Sequence, residues 1–140
     1  MSIRDQIERN LVAIVSLTIA LTALTYNTWR NEQSEENRNL RTASVHVLLK
    51  LGELQVVIFR RHYDLDTDVG NPRTGWAYVL TIRDLTTVLP NHVKEHGDQL
   101  VTVWQKHWEN LGTEQASIDA IIKAMDTIRS DVLLVLASLG

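Results

Sequence analysis

The sequence predicts an all-α protein in which a single N-terminal transmembrane helix continues into an antiparallel bundle of three or four helices. Three observations support this fold class. No Asp, Glu, Lys or Arg occurs in the 20 residues from Asn10 to Trp29. Beyond that run, apolar residues recur every three or four positions, which is the period of an amphipathic helix. No segment alternates apolar and polar residues between hairpin turns, so no sheet is expected.

The first element is the apolar segment 11–29, which reads "LVAIVSLTIALTALTYNTW". A helix needs roughly 20 mainly apolar residues to cross the hydrocarbon layer of a membrane. Serine and threonine hydroxyls in the segment can bond to carbonyls of the preceding turn, which lowers their cost in lipid. Tyr26 and Trp29 close the segment, where aromatic side chains favour the lipid–water boundary, and Arg30 can reach the headgroups. We therefore interpret 11–29 as a membrane anchor and 1–10 as a short tail before it.

Two other interpretations of this segment remain open. A cleaved signal peptide carries small residues before its cleavage site, and "ALT" before Tyr26 matches that pattern poorly. A buried helix of a soluble protein rarely stays free of charge for so many residues. Positive residues on the two flanks give a tie, so the orientation depends on weaker signals, such as the acidic residues that follow the segment. We expect a single span in the inner (cell) membrane, with the rest of the chain on the periplasmic or extracytoplasmic side.

Segment 30–42, "RNEQSEENRNLRT", is polar on every face except Leu40 and lacks Gly and Pro, which predicts a solvent-exposed helical stalk. One helix is therefore predicted from about Ile3 to about Tyr63, with its distal part packed. Apolar positions return there with helical spacing, at Val47, Leu51, Leu54 and Ile58. A second set is expected to broaden this stripe: Val45, Leu48, Val56 and Phe59.

The bundle domain is predicted over 43–140. A loop is expected at 64–75, because two glycines and an Asn–Pro step interrupt the helical spacing. Pro90 can start a new helix or kink a continuing one, which leaves four helices or three. The predicted segments after the loop are Trp76–Leu89, Pro90–Leu111 and Glu114–Leu139, with caps at Gly112 and Thr113.

Composition argues against several classes of function. The net charge is −3, so the chain has no basic field for nucleic-acid phosphates and we expect no binding to DNA or RNA. Cysteine is absent, which leaves no disulfide framework, thiolate nucleophile or cysteine-based zinc site. We also recognise no nucleophile–base motif and no glycine loop for phosphate. The sequence therefore predicts no catalytic residue, no cofactor and no enzyme activity.

One weak metal candidate lies in the predicted loop. Asp64, Asp66 and Asp68 resemble the opening of an EF-hand calcium loop, where alternating carboxylates converge on one ion. The match then fails, since Val69 stands where the loop needs glycine and Gly75 stands where it needs glutamate. We expect an acidic, solvent-exposed turn.

A second weak metal candidate is "HVKEH", in which His92 and His96 fit the H-x-x-E-H pattern of inverted zinc proteases. That chemistry also needs a third ligand from a distant segment and a cleft for substrate. A slim helical bundle offers little room for such a cleft. We therefore expect a solvated helix start and predict no metal site.

Trp104 and Trp108 lie one helical turn apart and are the candidate interface residues. Large aromatic side chains at this spacing are typical of a core or of a partner-binding surface. Leu100 and Leu111 continue the same stripe, which favours the core. The difficulty of burying two indoles in a slim bundle favours an interface.

These features together favour a non-enzymatic structural or accessory subunit of a membrane complex. The expected partners are the lipid bilayer and either another protein or a further copy of this chain. The alternative is a sensory or ligand-binding module that signals through the anchor, and a polar pocket with Arg83 or His46 pointing inward would favour it. In outline, an anchor that feeds a long helix resembles pilins and the input domains of bacterial chemoreceptors, although the pilin cleavage site is missing.

Overall fold

The structure, a computed structural model, describes the backbone of residues 3–140 and the side chains of residue 6 and residues 9–140. Met1 and Ser2, part of the predicted tail, lie outside the described residues. Over the described range the chain is all-α and contains no strand, as predicted. Its helices are α1 (Ile3–His62), α2 (Pro72–Thr86), α3 (Asn91–His107) and α4 (Gln115–Ser138), and a short 3-10 helix, Trp108–Asn110, follows α3.

Contacts divide the chain into two compact units, Met1–Arg38 and Asn39–Gly140. We call them the N-terminal unit and the C-terminal unit. The boundary falls inside the predicted stalk, 30–42.

The long helix α1 confirms the helix predicted from Ile3 to Tyr63, since it ends one residue earlier, at His62. Its sequence contains no proline and one glycine, Gly52, so little interrupts the backbone ladder. Arg60, Arg61 and His62 lie in the last turn, where basic side chains interact favourably with the helix dipole.

Helix α2 begins at Pro72, four residues before the predicted start at Trp76. The side chain of Asn71 accepts a hydrogen bond of 2.9 Å from the amide of Arg73, which caps the helix. Proline is favourable at the first helical position because its missing N–H needs no partner there. The Asn–Pro step that predicted a loop is therefore the start of the helix.

Helices α2 and α3 are separate, so the alternative of a single helix kinked at Pro90 is wrong and a new helix starts after this residue. Pro90 has extended backbone angles (φ −52°, ψ 149°) and directly precedes α3. Gly75 near the start of α2 contacts Trp104 near the end of α3, and Thr86 at the end of α2 contacts Gly97 near the start of α3. At both glycines an added Cβ atom would lie within 2.5 Å of the opposing side chain, so the two helices approach closely there.

The end of α3 and the start of α4 differ slightly from the prediction. Helix α3 gives way to the 3-10 turn after His107 rather than continuing to Leu111. Glu114, with extended backbone angles, precedes α4 where Thr113 was the predicted cap. Differences of one or two residues at helix ends are common.

Apolar side chains from all four helices form one core in the C-terminal unit. The helical spacing predicted these positions, because each helix turns one face inward. Fully buried members are Val47, Leu51, Leu54 and Ile58 from α1, Val79 and Ile82 from α2, Val93, Leu100 and Trp104 from α3, and Ile121, Ile128 and Val132 from α4.

The expectation that Val45, Val56 and Phe59 broaden the buried stripe of α1 is wrong. These side chains are 41–50% exposed. At 100° per residue they point away from the buried face of α1. Leu48 alone of the second set packs, partly buried, against the core.

Three polar contacts join α1 to the segment 115–140. The guanidinium of Arg41 donates to the carbonyl of Gly140 over 2.9 Å. Arg129 donates to the Gln55 side-chain oxygen over 3.1 Å. His62 lies 3.0 Å from the Gln115 side-chain oxygen. The later a residue lies in α1, the closer its partner lies to the start of α4.

Candidate functional site

The apolar segment 11–29 is exposed along its whole length in the structure. An 18-residue window of this helix has a mean hydropathy of 1.6, and none of the window is buried. By length and composition the helix can cross a membrane, a property shared by core helices of soluble proteins and by signal sequences.

Three threonine hydroxyls in this segment are bonded within the helix. Thr18 donates to the carbonyl of Ile14 over 2.9 Å, and Thr22 donates to the carbonyl of Thr18 over 2.8 Å. Thr25 makes the same bond one turn later, over 2.9 Å. Each of these three donors therefore needs no water as a partner.

Two aromatic side chains mark the end of the segment. The rings of Tyr26 and Trp29 lie with centroids 6.2 Å apart, and both side chains are more than half exposed. Arg30 follows and is exposed. The three predicted membrane-interface residues thus lie together on one exposed stretch of α1.

The predicted acidic loop is held by short-range bonds. Asp64 pairs with Arg60 at 3.1 Å. The carboxylate of Asp66 accepts from the amides of Asp68 and Val69, at 2.8 and 3.1 Å, which is an Asx-type turn. The carboxylates of Asp64 and Asp66 thus already bond to neighbouring groups of α1 and the loop.

The two histidines of "HVKEH" lie in different environments. His92 is exposed, whereas His96 is half-buried and its Nδ1 lies 2.5 Å from the carboxylate of Asp131 on α4. This contact links α3 to α4. Over the part of the chain that the structure describes, no three His, Asp or Glu side chains are placed to hold a metal ion.

A serine and a histidine, which the sequence analysis did not pair, meet where α4 begins. His107 Nδ1 lies 2.9 Å from Ser117 Oγ, and Ser117 donates to the Glu114 carboxylate over 2.5 Å. Ser117 thus contacts both the carboxylate and the imidazole, and links the end of α3 to the start of α4. Ser117 is fully buried, so we assign the cluster to anchoring the start of α4.

The two candidate interface tryptophans have different exposure. Trp104 is fully buried in the core, and its Nε1 has no hydrogen-bond partner in the structure. Trp108 is half-buried and packs against the core. Trp76 of α2 contacts both rings edge-on, with centroids 6.5 and 6.3 Å away. Of the predicted pair, Trp108 is therefore the one with surface to offer a partner.

The side chains that would mark a sensory pocket face outwards. His46 is exposed, and the side chain of Arg83 is 39% exposed and pairs with its neighbour Asp84 at 2.7 Å. A depression of about 570 Å³ is lined by residues of α4 alone, from Asp119 to Asp131, so it lies on one helix face rather than between helices.

Comparisons with known proteins return no match: no family model, curated protein or solved structure is significantly similar to the chain.

Proposed function

We propose that the chain is a single-pass membrane protein whose C-terminal unit is an antiparallel four-helix bundle serving as a structural or accessory subunit of a membrane complex. The protein is not an enzyme in this proposal. The anchor is segment 11–29, and the bundle lies on the periplasmic or extracytoplasmic side of the inner membrane.

The observation that carries the proposal is the exposure of segment 11–29. A charge-free run of this length buries its apolar face if the protein is soluble, because exposed apolar area in water is unfavourable. Here none of the apolar window is covered by the chain itself. In lipid the apolar side chains of the segment are removed from water, and every backbone group of the helix keeps its hydrogen-bond partner.

The bundle arrangement is supported by contacts in opposite chain directions between neighbouring helices. Helices α2 and α3 make two such contacts, Gly75 with Trp104 and Thr86 with Gly97. Helix α1 contacts the residue that ends the segment after α4, through Arg41 and Gly140. The buried side chains of the core are almost all apolar. Such an interior suits a structural subunit, whereas a catalytic site needs several polar groups that converge on one pocket.

Membrane fractionation tests the anchor directly. The full chain is expected to stay with membranes after extraction with alkaline carbonate. Two arginines near the middle of the segment, Leu17→Arg with Leu21→Arg, each cost ~2.5–3.5 kcal/mol on insertion and should release the protein. The matched control, Leu17→Ala with Leu21→Ala, should remain in the membrane. If the chain without substitutions is recovered in the aqueous fraction with its N-terminus near Tyr26 or later, the proposal is overturned.

The absence of cysteine gives a simple test of orientation. Gln99 is exposed on α3, so the variant Gln99→Cys carries one accessible thiol. A membrane-impermeant maleimide is expected to label this thiol in intact cells. Labelling that requires lysis would place the C-terminal unit in the cytoplasm.

The role as a subunit is tested by purification in a mild detergent. We expect the tagged chain to elute with a partner at a fixed ratio, either another membrane protein or further copies of itself. A chain that always elutes alone as a monomer would contradict this role.

A further inference from the structure

A second apolar stripe runs along α1 on the face that points away from the core. We call it the outer stripe. Its members are Val45, Leu49, Gly52, Val56 and Phe59 of α1, and Tyr63, which directly follows the helix and bonds to the Phe59 carbonyl. The five side chains other than glycine are 41–63% exposed. The outer stripe is therefore a row of apolar groups that the C-terminal unit leaves about half uncovered.

The spacing of the outer stripe is that of a coiled coil. Its members follow one another at steps of four, three, four, three and four residues. This alternation gives the average of 3.5 residues that keeps one seam of a helix facing a partner helix. Such a seam is matched by a helix with the same repeat, and an identical α1 provides one.

Gly52, in the middle of the outer stripe, has no explanation inside the chain. A Cβ atom added there would meet nothing within 4 Å, and its backbone is not in the left-handed region. Glycine within a helix lowers helix stability relative to alanine. A glycine is useful at such a position when another helix approaches the backbone closely.

The charges beside the outer stripe do not oppose pairing between identical copies. Lys50 pairs with Glu53 at 2.6 Å, and Arg60 pairs with Asp64 at 3.1 Å. Each flanking charge thus already has an opposite partner within its own chain. Two identical faces can therefore meet without repulsion between like net charges.

We propose that the outer stripe of α1 pairs with the outer stripe of a second copy of this chain, side by side and in parallel. The direction follows from the proposed function, on which this inference rests, because two anchors inserted the same way into one membrane run in parallel. Equal residues then face each other, and Gly52 opposes Gly52 of the second copy at the point of closest approach.

The size of the seam explains why the pairing needs the membrane. The outer stripe covers 18 residue steps, or about 27 Å, and with a helix width of about 10 Å the contact is roughly 300 Å² per copy. A stable interface in solution buries about 800 Å² per partner. Confinement in a membrane raises the effective concentration of the second copy, so a small seam suffices there.

Single-cysteine cross-linking of the full chain in native membranes tests the pairing. The chain has no cysteine, so each variant carries one thiol. We expect Gly52→Cys, Val56→Cys and Phe59→Cys to form an oxidised dimer of twice the 15.9 kDa chain mass, because a disulfide needs Cα atoms within about 7 Å. Gln99→Cys, exposed on α3, should give at least fivefold less dimer. Adding Leu49→Glu to Gly52→Cys should reduce the dimer by a similar factor, while circular dichroism confirms that the chain remains folded.

The outcomes separate this inference from the proposed function. A chain that resists carbonate extraction but gives no more dimer at the outer stripe than at Gln99 overturns the pairing alone. Cross-links from the outer stripe to a different protein also overturn it. A chain found in the aqueous fraction overturns the anchor and, because the pairing needs the membrane, overturns the pairing with it.

Discussion

The substitution Gly75→Ala should destabilise the C-terminal unit, although alanine is the better helix former. The Cβ atom of alanine would lie 2.3 Å from Cζ2 and 2.4 Å from Cη2 of Trp104. Normal contact between carbon atoms is ~3.5–4.0 Å, so the ring or the helix must move by more than about 1 Å. Trp104 is fully buried and contacts Trp76 edge-on, which leaves it little room to move.

The magnitude follows from two opposing effects. Overpacking a well-packed core costs about 1–3 kcal/mol. Replacing glycine by alanine inside a helix gains about 0.5–1 kcal/mol. The middle of each range leaves a net loss of about 1 kcal/mol. In a domain of about 100 residues each kcal/mol lowers Tm by roughly 4–8 °C.

Urea unfolding of the full chain in mild detergent, followed by circular dichroism at 222 nm, measures this loss. The matched control is Gly52→Ala at a protein concentration where the chain is monomeric, because nothing lies within 4 Å of that position. The control should be as stable as the parent or more stable. In a double-mutant cycle, Gly75→Ala should cost less in a Trp104→Leu background than in the parent, since the smaller side chain makes room. A Gly75→Ala variant as stable as the parent would refute the close contact.

Three further substitutions probe single contacts by the same unfolding assay. Trp104→Ala should lower the free energy of unfolding by about 3–5 kcal/mol, because the whole indole is buried. Trp108→Ala should lower it clearly less, and equal losses would contradict the different burial of the two side chains. Asn71→Ala should cost about 1 kcal/mol of stability by removing the cap of α2, whereas Asn71→Ser should retain most of the stability. If the alanine variant loses no stability, the cap is unimportant. Alanine substitutions at His96 and Asp131, alone and together, should reveal a coupling of about 1 kcal/mol, and additive losses would mean that this contact does not link α3 to α4.

The long helix and the buried positions could be predicted from the sequence because they depend on local rules. Nothing in α1 interrupts the backbone ladder, so its end was predicted within one residue. The buried faces of α2, α3 and α4 follow from spacing, since a helix places residues three and four apart on one side.

Other features depend on contacts between distant segments and could not be predicted. Pro90 is compatible with a kink or a new helix, and only the approach of Gly97 to Thr86 distinguishes the two. Gly75 signals a loop in isolation, yet it lies inside α2, where Trp104 occupies the space that a side chain would need. The burial of Trp104 likewise depends on where α2 packs.

The metal candidates illustrate a related limit. Spacing alone suggested that His92 and His96 share a helical face, but it could not indicate that Asp131 of α4 would pair with His96. The outer stripe was present in the sequence as Val45, Val56 and Phe59. It was assigned to the core because both stripes on α1 have helical spacing, and the residues that pack against α1 decide which stripe is buried.

The cluster of Trp76, Trp104 and Trp108 gives the protein a built-in optical reporter. These are three of the four tryptophans, and the fourth, Trp29, belongs to the N-terminal unit. An indole that is buried and has no hydrogen-bond partner emits at short wavelength, so the fluorescence of Trp104 should shift to the red when α2 separates from α3. Replacing Trp29 by phenylalanine leaves emission from the C-terminal unit alone, and local opening of that unit can then be followed in lipid without an attached dye.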